Sequence, residues 1–291
     1  MNVSISDFWG MGFDPNNNFF THLLKNIDSN INFIPLGDET EVLLYSCFGG
    51  DHNHVDRRKV KKIFYTGENI RPNYDECDYS FTFDFEDYNG KNIRVPLWLT
   101  QIDFFDTKGF GNPEFVVSLD QLTDYSKNPF YNKTKDKFSI IINNHLGNQR
   151  KEFLESLAKK KEVHGFGEPF NNWFYGESKK LDKLSEYRFN ICFENTNYPG
   201  YYTEKLIHAK AAGCVPIYYS EDKVSEDFNT NCMINLNDYS NVNELTEKVM
   251  EIENHSYLYN EIKNEKLFKY DNYPIEFFEN IKNQIKKVIY A

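Results

Sequence analysis

Residues 188–219 read RFNICFENTNYPGYYTEKLIHAKAAGCVPIYY. An apolar run from Phe189 to Phe193 has the length and composition of a buried strand. It breaks at Glu194 into a polar loop with a Pro199–Gly200 turn. A helical pattern follows, with Thr203 as the expected N-cap and Gly213 as the stop, and then a second apolar run, Cys214 to Tyr219. Strand, helix and strand in that order imply parallel pairing, so the polar loop leaves the carboxyl edge of a sheet, where parallel α/β folds bind ligands.

The same rhythm extends outward. Upstream lie FSIIINN, a helix over about 149–160, KEVHGFG and a short helix near 179–186. Downstream the tail is helical, in NVNELTEKVMEI, SYLYNEIKNEKLF and PIEFFENIKNQIKKVIYA. The first half alternates similarly, through VSISDFW, NNFFTHLLKNI, EVLLYSCF, KKIFYTG and YSFTFDF. A polar stretch, TDYSKNPFYNKTKDK (123–137), interrupts the pattern and sets the expected boundary between an N-terminal domain, 1–134, and a C-terminal domain, 135–272. The last helix, 273–291, carries a stripe of Ile275, Phe278, Ile281, Ile285 and Ile289, and is expected to pack back on the N-terminal domain.

At 291 residues the chain has room for two such cores. Lys and Arg number 33 against 44 Asp and Glu, for a formal charge of -11, which argues against a nucleic-acid-binding protein with a broad basic face. The first twenty residues contain no basic start followed by a long apolar run, so neither a secretory signal nor a transmembrane segment is read there, and a cytoplasmic, soluble protein is expected. Five scattered cysteines without a C-x-x-C spacing fit reduced, buried thiols. The acidic clusters DFED (84–87) and SEDK (220–223) read as surface charge. In GGDHNH (49–54), His52 and His54 are candidate ligands or acceptor contacts, with a polar loop as the plainer reading.

Glu204 and Lys205 open the helix after the loop, and two readings stand side by side. They are an ordinary solvated pair, or Lys205 is set at an unfavourable helix start, at a cost of about 0.3–1 kcal/mol, because a bound anion offsets it. Glu194 is likewise a surface acid or part of a site. Asn143, Asn144, His145 and His164 follow strands of the C-terminal half and are candidates to line the same edge.

The stretch 188–219 resembles the signature of the α1,3/4-fucosyltransferases. KKIFYTGENIRPNYDECDYSFTFDFED, IRVPLW and VSEDFNTNCMINLNDY resemble further blocks of that family in matching order, over roughly half the chain. The resemblance implies an α/β fold of GT-B type, two Rossmann-like domains facing each other across a cleft, with GDP-fucose as donor and an oligosaccharide of GlcNAc type as acceptor. It implies that Lys205 and Arg150 contact the donor diphosphate, that Glu204 holds the ribose, and that Tyr201 and Asn195 are further donor contacts; Glu194 on the signature loop, and Asn144 by its position after a strand, are expected to join them. Glu68, in FYTGEN, matches the acid that acts as catalytic base.

These residue types suit the chemistry. Guanidinium and ammonium groups stabilise a leaving diphosphate, a carboxylate accepts from vicinal hydroxyls, and inverting transfer needs a base for the acceptor hydroxyl. No Asp-x-Asp pair reads as a donor-metal site, so no cofactor is expected and a divalent metal is expected to be dispensable. Ser220, Glu221 and Asp222 depart from the family pattern after VPIYY. A different nucleotide sugar, or an inactive glycan-binding homologue, therefore stands as the alternative.

Overall fold

The computed structural model describes residues 1–10, 13–107, 116–173 and 180–291. They form two compact units, Met1–Val116 with Pro274–Ala291, and Val117–Tyr273. The division falls ahead of the expected boundary at 134/135 because the polar stretch 123–137 is bonded into the second unit rather than acting as a linker. Tyr125 donates to the Glu265 carbonyl (2.9 Å), Asn128 to the Ala211 carbonyl (2.9 Å), and Lys135 to the carbonyls of Ser185 (2.9 Å) and Ala212 (2.8 Å).

In the first unit, β1 (Asn2–Ser6), α1 (Phe19–Ile27), β2 (Asn32–Phe33), β3 (Val42–Tyr45), β4 (Lys61–Tyr65), β5 (Tyr79–Thr82) and β6 (Asn92–Arg94) build a parallel sheet of order β2-β1-β3-β4-β5-β6. Asn18 caps α1, its side chain accepting from the Thr21 N–H at 3.1 Å. β3 is buried at all four positions, as a strand covered on both faces must be. The short strands β7 (Ile102–Asp103) and β8 (Val117–Ser118) belong to neither large sheet.

The second unit contains α2 (Leu119–Thr123), β9 (Lys137–Ile142), α3 (Asn148–Ala158), β10 (Val163–Phe166), α4 (Lys180–Leu184), β11 (Tyr187–Phe193), α5 (Lys205–Ala211), β12 (Val215–Tyr219), β13 (Ile234–Asn235), α6 (Val242–Asn254) and α7 (Ser256–Asn264). Its five strands are parallel in the order β10-β9-β11-β12-β13. The strand singled out in the sequence, β11, is thus central, and Phe189, Ile191 and Phe193 pack with Phe153 and Leu157 of α3 and Val215 and Ile217 of β12. Lys179, at the expected start of α4, lies outside the described residues.

Gly213 ends α5 as expected. It takes φ 70°, its N–H donates to the Lys210 carbonyl (2.9 Å), and Cys214 reaches back to Ala209 (2.9 Å). Thr203 is not the N-cap, however; Glu204 holds that position, and the Thr203 hydroxyl is engaged elsewhere.

The final helix, α8 (Tyr273–Tyr290), packs on the first unit: Phe277 stacks on Trp98 (5.4 Å) and Phe278 on Phe104 (4.3 Å). Phe278, Ile281, Ile285 and Ile289 of the expected stripe are buried, while Ile275 is exposed. All five cysteines are free thiols, four of them buried.

Two surface readings are corrected. Asp84 of DFED is buried 3.4 Å from Arg71, and Glu221 of SEDK accepts from the Tyr202 hydroxyl and from the Lys223 N–H (2.9 Å), because each acid closes its own turn. His52 is structural: Nδ1 pairs with Asp7 (2.7 Å) and the ring stacks on Tyr45 (4.2 Å).

Candidate active site

The loop from 194 to 203 is closed at its base by one carboxylate. Glu194 follows the last residue of β11 and is buried, and its two oxygens take four protons. Oε1 accepts from the Thr203 N–H (2.9 Å) and the Tyr218 hydroxyl (3.1 Å); Oε2 accepts from the Thr203 hydroxyl (2.7 Å) and the Lys205 ammonium (3.0 Å). A carboxylate saturated in this way has little left for a ligand, so the spacing of Glu194, Thr203 and Lys205 is first of all a loop clamp.

Next to the clamp lies a cavity of about 510 Å³, lined by Asn143, Asn144, His145, Gly167, Trp173, Lys180, Asn195, Glu204 and Lys205 together with Ile142. That volume suits a small-molecule site. The cavity opens where β9, β10 and β11 end, at the carboxyl edge of the sheet. Gly167, at φ 110°, forms part of the wall; a Cβ there would stand 2.2 Å from the Asn143 carbonyl oxygen, so only glycine admits this approach.

Charge in the wall is tightly arranged. Glu204 lies 3.8 Å from both Lys205 and Lys180. Burial works against its charge, but Lys205 and then Lys180 hold its carboxyl well below the usual glutamate range. Burial also opposes the Lys205 charge, and the Glu194 and Glu204 carboxylates overcome it, holding the ammonium above the ordinary lysine range. Beneath them His208 is buried and kept neutral, by burial first and the Lys180 charge second.

Arg150 sits behind this wall. It shares one face of α3 with Phe153 and Leu157, three and seven residues on, and is therefore buried with them. Its NH1 donates to Asn143 Oδ1 (3.0 Å) and the His145 carbonyl; its NH2 donates to the Phe193 carbonyl (2.6 Å) and Asn195 Oδ1 (3.1 Å). The guanidinium so ties the ends of β9 and β11 together, while its ε N–H is buried with no hydrogen-bond partner.

Of the residues expected at the donor, Asn144, Asn195, Glu204 and Lys205 line the cavity; Arg150, Glu194 and Tyr201 are buried and do not. His145 lines it too, whereas His164 meets the Tyr187 ring edge to face (5.4 Å) instead. Lys180 and Trp173 were not legible as site residues, since the segment between KEVHGFG and β11 carries no motif. Glu68 stands just past the carboxyl end of β4. Its N–H donates to the Thr66 hydroxyl (2.9 Å), which donates in turn to the Glu68 carbonyl (3.1 Å), and its half-buried carboxylate has no hydrogen-bond partner among the described residues. Among the described residues, no group of three or more His, Cys, Asp or Glu is placed to hold a metal ion, and no helix is long and apolar enough to cross a membrane.

Residues 130–275 match the family described as glycosyltransferase family 10 (fucosyltransferase), C-terminal part. The chain belongs to that family. This family 10 chain also matches, over residues 3–101, the α-(1,3)-fucosyltransferase FucT N-terminal domain. It is 30% identical over 243 residues to the α-(1,3)-fucosyltransferase FucT of Helicobacter pylori, covering 77% of this chain and 48% of that one. To the bovine 4-galactosyl-N-acetylglucosaminide 3-α-L-fucosyltransferase 9 it is 28% identical over 140 residues, 46% of this chain and 39% of the relative. The chain thus spans about half, or less, of the length of these curated relatives.

Among solved structures, an α1,3-fucosyltransferase matches with a TM-score of 0.75 at 24% identity, over 100% of this chain and 90% of that one. The same enzyme type with GDP-fucose gives 0.73 at 23%, with the same coverage. T4 phage β-glucosyltransferase gives 0.53 at 13%, over 100% of both chains. The fold is the GT-B fold, built on two Rossmann-like parallel sheets.

Proposed function

We propose that this family 10 chain is an inverting α1,3-fucosyltransferase, moving L-fucose from GDP-fucose to a hydroxyl of a GlcNAc-type glycan. The observation that carries the reading is the convergence of Lys205, Glu204, Asn195 and Asn144 on one cavity at the carboxyl edge of the second sheet. Those are the group types a nucleoside diphosphate sugar requires: an ammonium for phosphate, a carboxylate for the ribose hydroxyls, and amides for the remaining polar edges. The relatives whose names specify α1,3 transfer supply the linkage.

In this reading Lys205 meets the diphosphate from the cavity wall. Arg150 adds a second positive charge from the buried layer behind Asn195, so that negative charge developing on the departing GDP is stabilised. Glu68 takes the proton of the acceptor hydroxyl as its oxygen attacks the anomeric carbon and the bond to GDP breaks. Such a base is worth roughly 10²–10⁴-fold. With the leaving group matched by protein cations, transfer proceeds without a divalent metal.

A second reading keeps the fold and changes the donor, and the departure at Ser220, Glu221 and Asp222 favours it. Glu221 accepts from the Tyr202 hydroxyl, so the departure is bonded to the signature loop itself. Thermal shift and calorimetry with GDP, GDP-fucose, GDP-mannose, UDP and dTDP sugars separate the two. Binding of the GDP compounds together with α1,3-linked fucose in the product, in excess chelator, is the expected result. Stabilisation by UDP or dTDP compounds alone, or activity that returns only with manganese, contradicts the corresponding part of the reading.

A further inference from the structure

We propose that Lys180 binds the phosphate of the nucleotide in this cavity, an inference that rests on the functional reading above. It follows from counting the protons of the two wall ammonium groups. Lys205 has three N–H donors, and two are spent inside the protein, on Glu194 (3.0 Å) and Thr203 (2.9 Å). Its charge is likewise matched by the buried Glu194 carboxylate, which has no other cation within ion-pair distance among the described residues.

Lys180 differs in both respects. Its Nζ lies 3.8 Å from Glu204 Oε1, beyond hydrogen-bond reach, and no acceptor among the described residues takes any of its three protons. The side chain is only 21% exposed, so bulk water does not fully replace those partners. It lines the same cavity as Lys205, Asn195 and Asn144. An ammonium that is largely buried, unbonded and turned onto a polar cavity is set for an anionic oxygen arriving there. With Glu194 matching Lys205 and Glu204 facing both lysines, Lys180 brings these four groups to neutrality, where without it the wall would stand net negative toward a diphosphate. Glu204, bracketed by two cations at equal distance, is kept ionised and free to accept from hydroxyls rather than from an N–H.

The test compares GDP with guanosine, which shares everything except phosphate. Calorimetry on the wild-type chain and on Lys180→Met, whose straight apolar side chain keeps the packing, should show GDP affinity reduced about 10- to 100-fold while guanosine changes less than about twofold. Lys180→Arg should recover most of the GDP affinity, and wild-type GDP binding should depend more steeply on salt than that of Lys180→Met. Equal losses for GDP and guanosine would show that Lys180 acts only by holding Glu204 on the ribose. Unchanged GDP binding would show that the ammonium touches no phosphate, and either result overturns the proposal while leaving the function standing. A wild-type chain that binds guanosine as tightly as GDP overturns the proposal and the function together. Urea midpoints of the variants confirm folding; should Lys180→Met not fold, Lys180→Gln and Lys180→Arg carry the same comparison.

Discussion

The Lys205 ammonium lies 3.0 Å from the Glu194 carboxylate, with only 1% of the Glu194 side chain and 14% of the Lys205 side chain exposed. The pair joins the end of β11 to the start of α5, and so a residue that lines the cavity is positioned by one that does not. A buried pair of this kind adds little over apolar packing, but breaking one side of it is expensive.

Glu194→Ala is therefore expected to destabilise the second unit by about 3–5 kcal/mol, since it strands the Lys205 charge and leaves the Thr203 N–H and the Tyr218 hydroxyl without their acceptor. Glu194→Gln should cost less, as the amide oxygen still accepts. Urea titrations followed by far-UV circular dichroism check both, and a neutral Glu194→Ala would mean that the clamp is dispensable.

Glu68→Gln is expected to reduce transfer by roughly 10²–10⁴-fold while GDP affinity stays within about twofold, because the amide fills the same space but cannot take a proton. Lys205→Ala should weaken GDP binding as well as transfer. Rates and calorimetry measured on the same preparations decide it; parallel loss of nucleotide binding in both variants would show that Glu68 is not the base.

Stability should fall as pH drops below about 6.5, well before carboxylates protonate. Burial and the Lys180 charge hold His208 neutral far below its ordinary value of 6.5. Between that value and its folded one, the unfolded chain therefore takes up a proton that the folded chain refuses, costing up to about 1.4 kcal/mol per pH unit. Glu204, whose folded value is depressed from 4.5, adds stability that is fully present above that pH and is lost only as pH falls further. Urea midpoints at pH 7.5, 6.5, 5.5 and 5.0 should slope for the wild type and flatten in His208→Gln.

Phe278→Ala should destabilise the first unit by about 3–5 kcal/mol. Its ring packs against Phe104 at 4.3 Å, Phe105 at 5.5 Å and Phe19 at 6.4 Å, and removing it leaves a cavity under α8 that rigid neighbours fill poorly. Denaturant unfolding measures this, and a change below 1 kcal/mol would show that α8 contributes little to that core.

The alternation of apolar runs with helical patterns was enough to read β11 as a buried strand of a mostly parallel sheet, while its place between β9 and β12 came from the fold. Periodicity reports burial directly, and burial on both faces admits few topologies. The Phe278–Ile289 stripe of α8 was legible for the same reason, although Ile275 falls outside the contact. The polar stretch 123–137 misled, because composition does not reveal that Tyr125, Asn128 and Lys135 each find a carbonyl acceptor far along the chain.

What the sequence determined alone was local: strand, loop and helix order, the glycine stop at 213, and the presence of Glu68, Arg150, Glu204 and Lys205 in fitting motifs. Tertiary structure decided how the charges are spent. Whether a carboxylate is a ligand or a clamp depends on how many donors surround it, and the donors around Glu194 come from two separated segments, Thr203 with Lys205 at the start of α5 and Tyr218 in β12. Whether an ammonium is free depends on acceptors brought near or kept away by folding, which is why Lys180, in a segment without any motif, emerged only once the chain had been folded around the cavity.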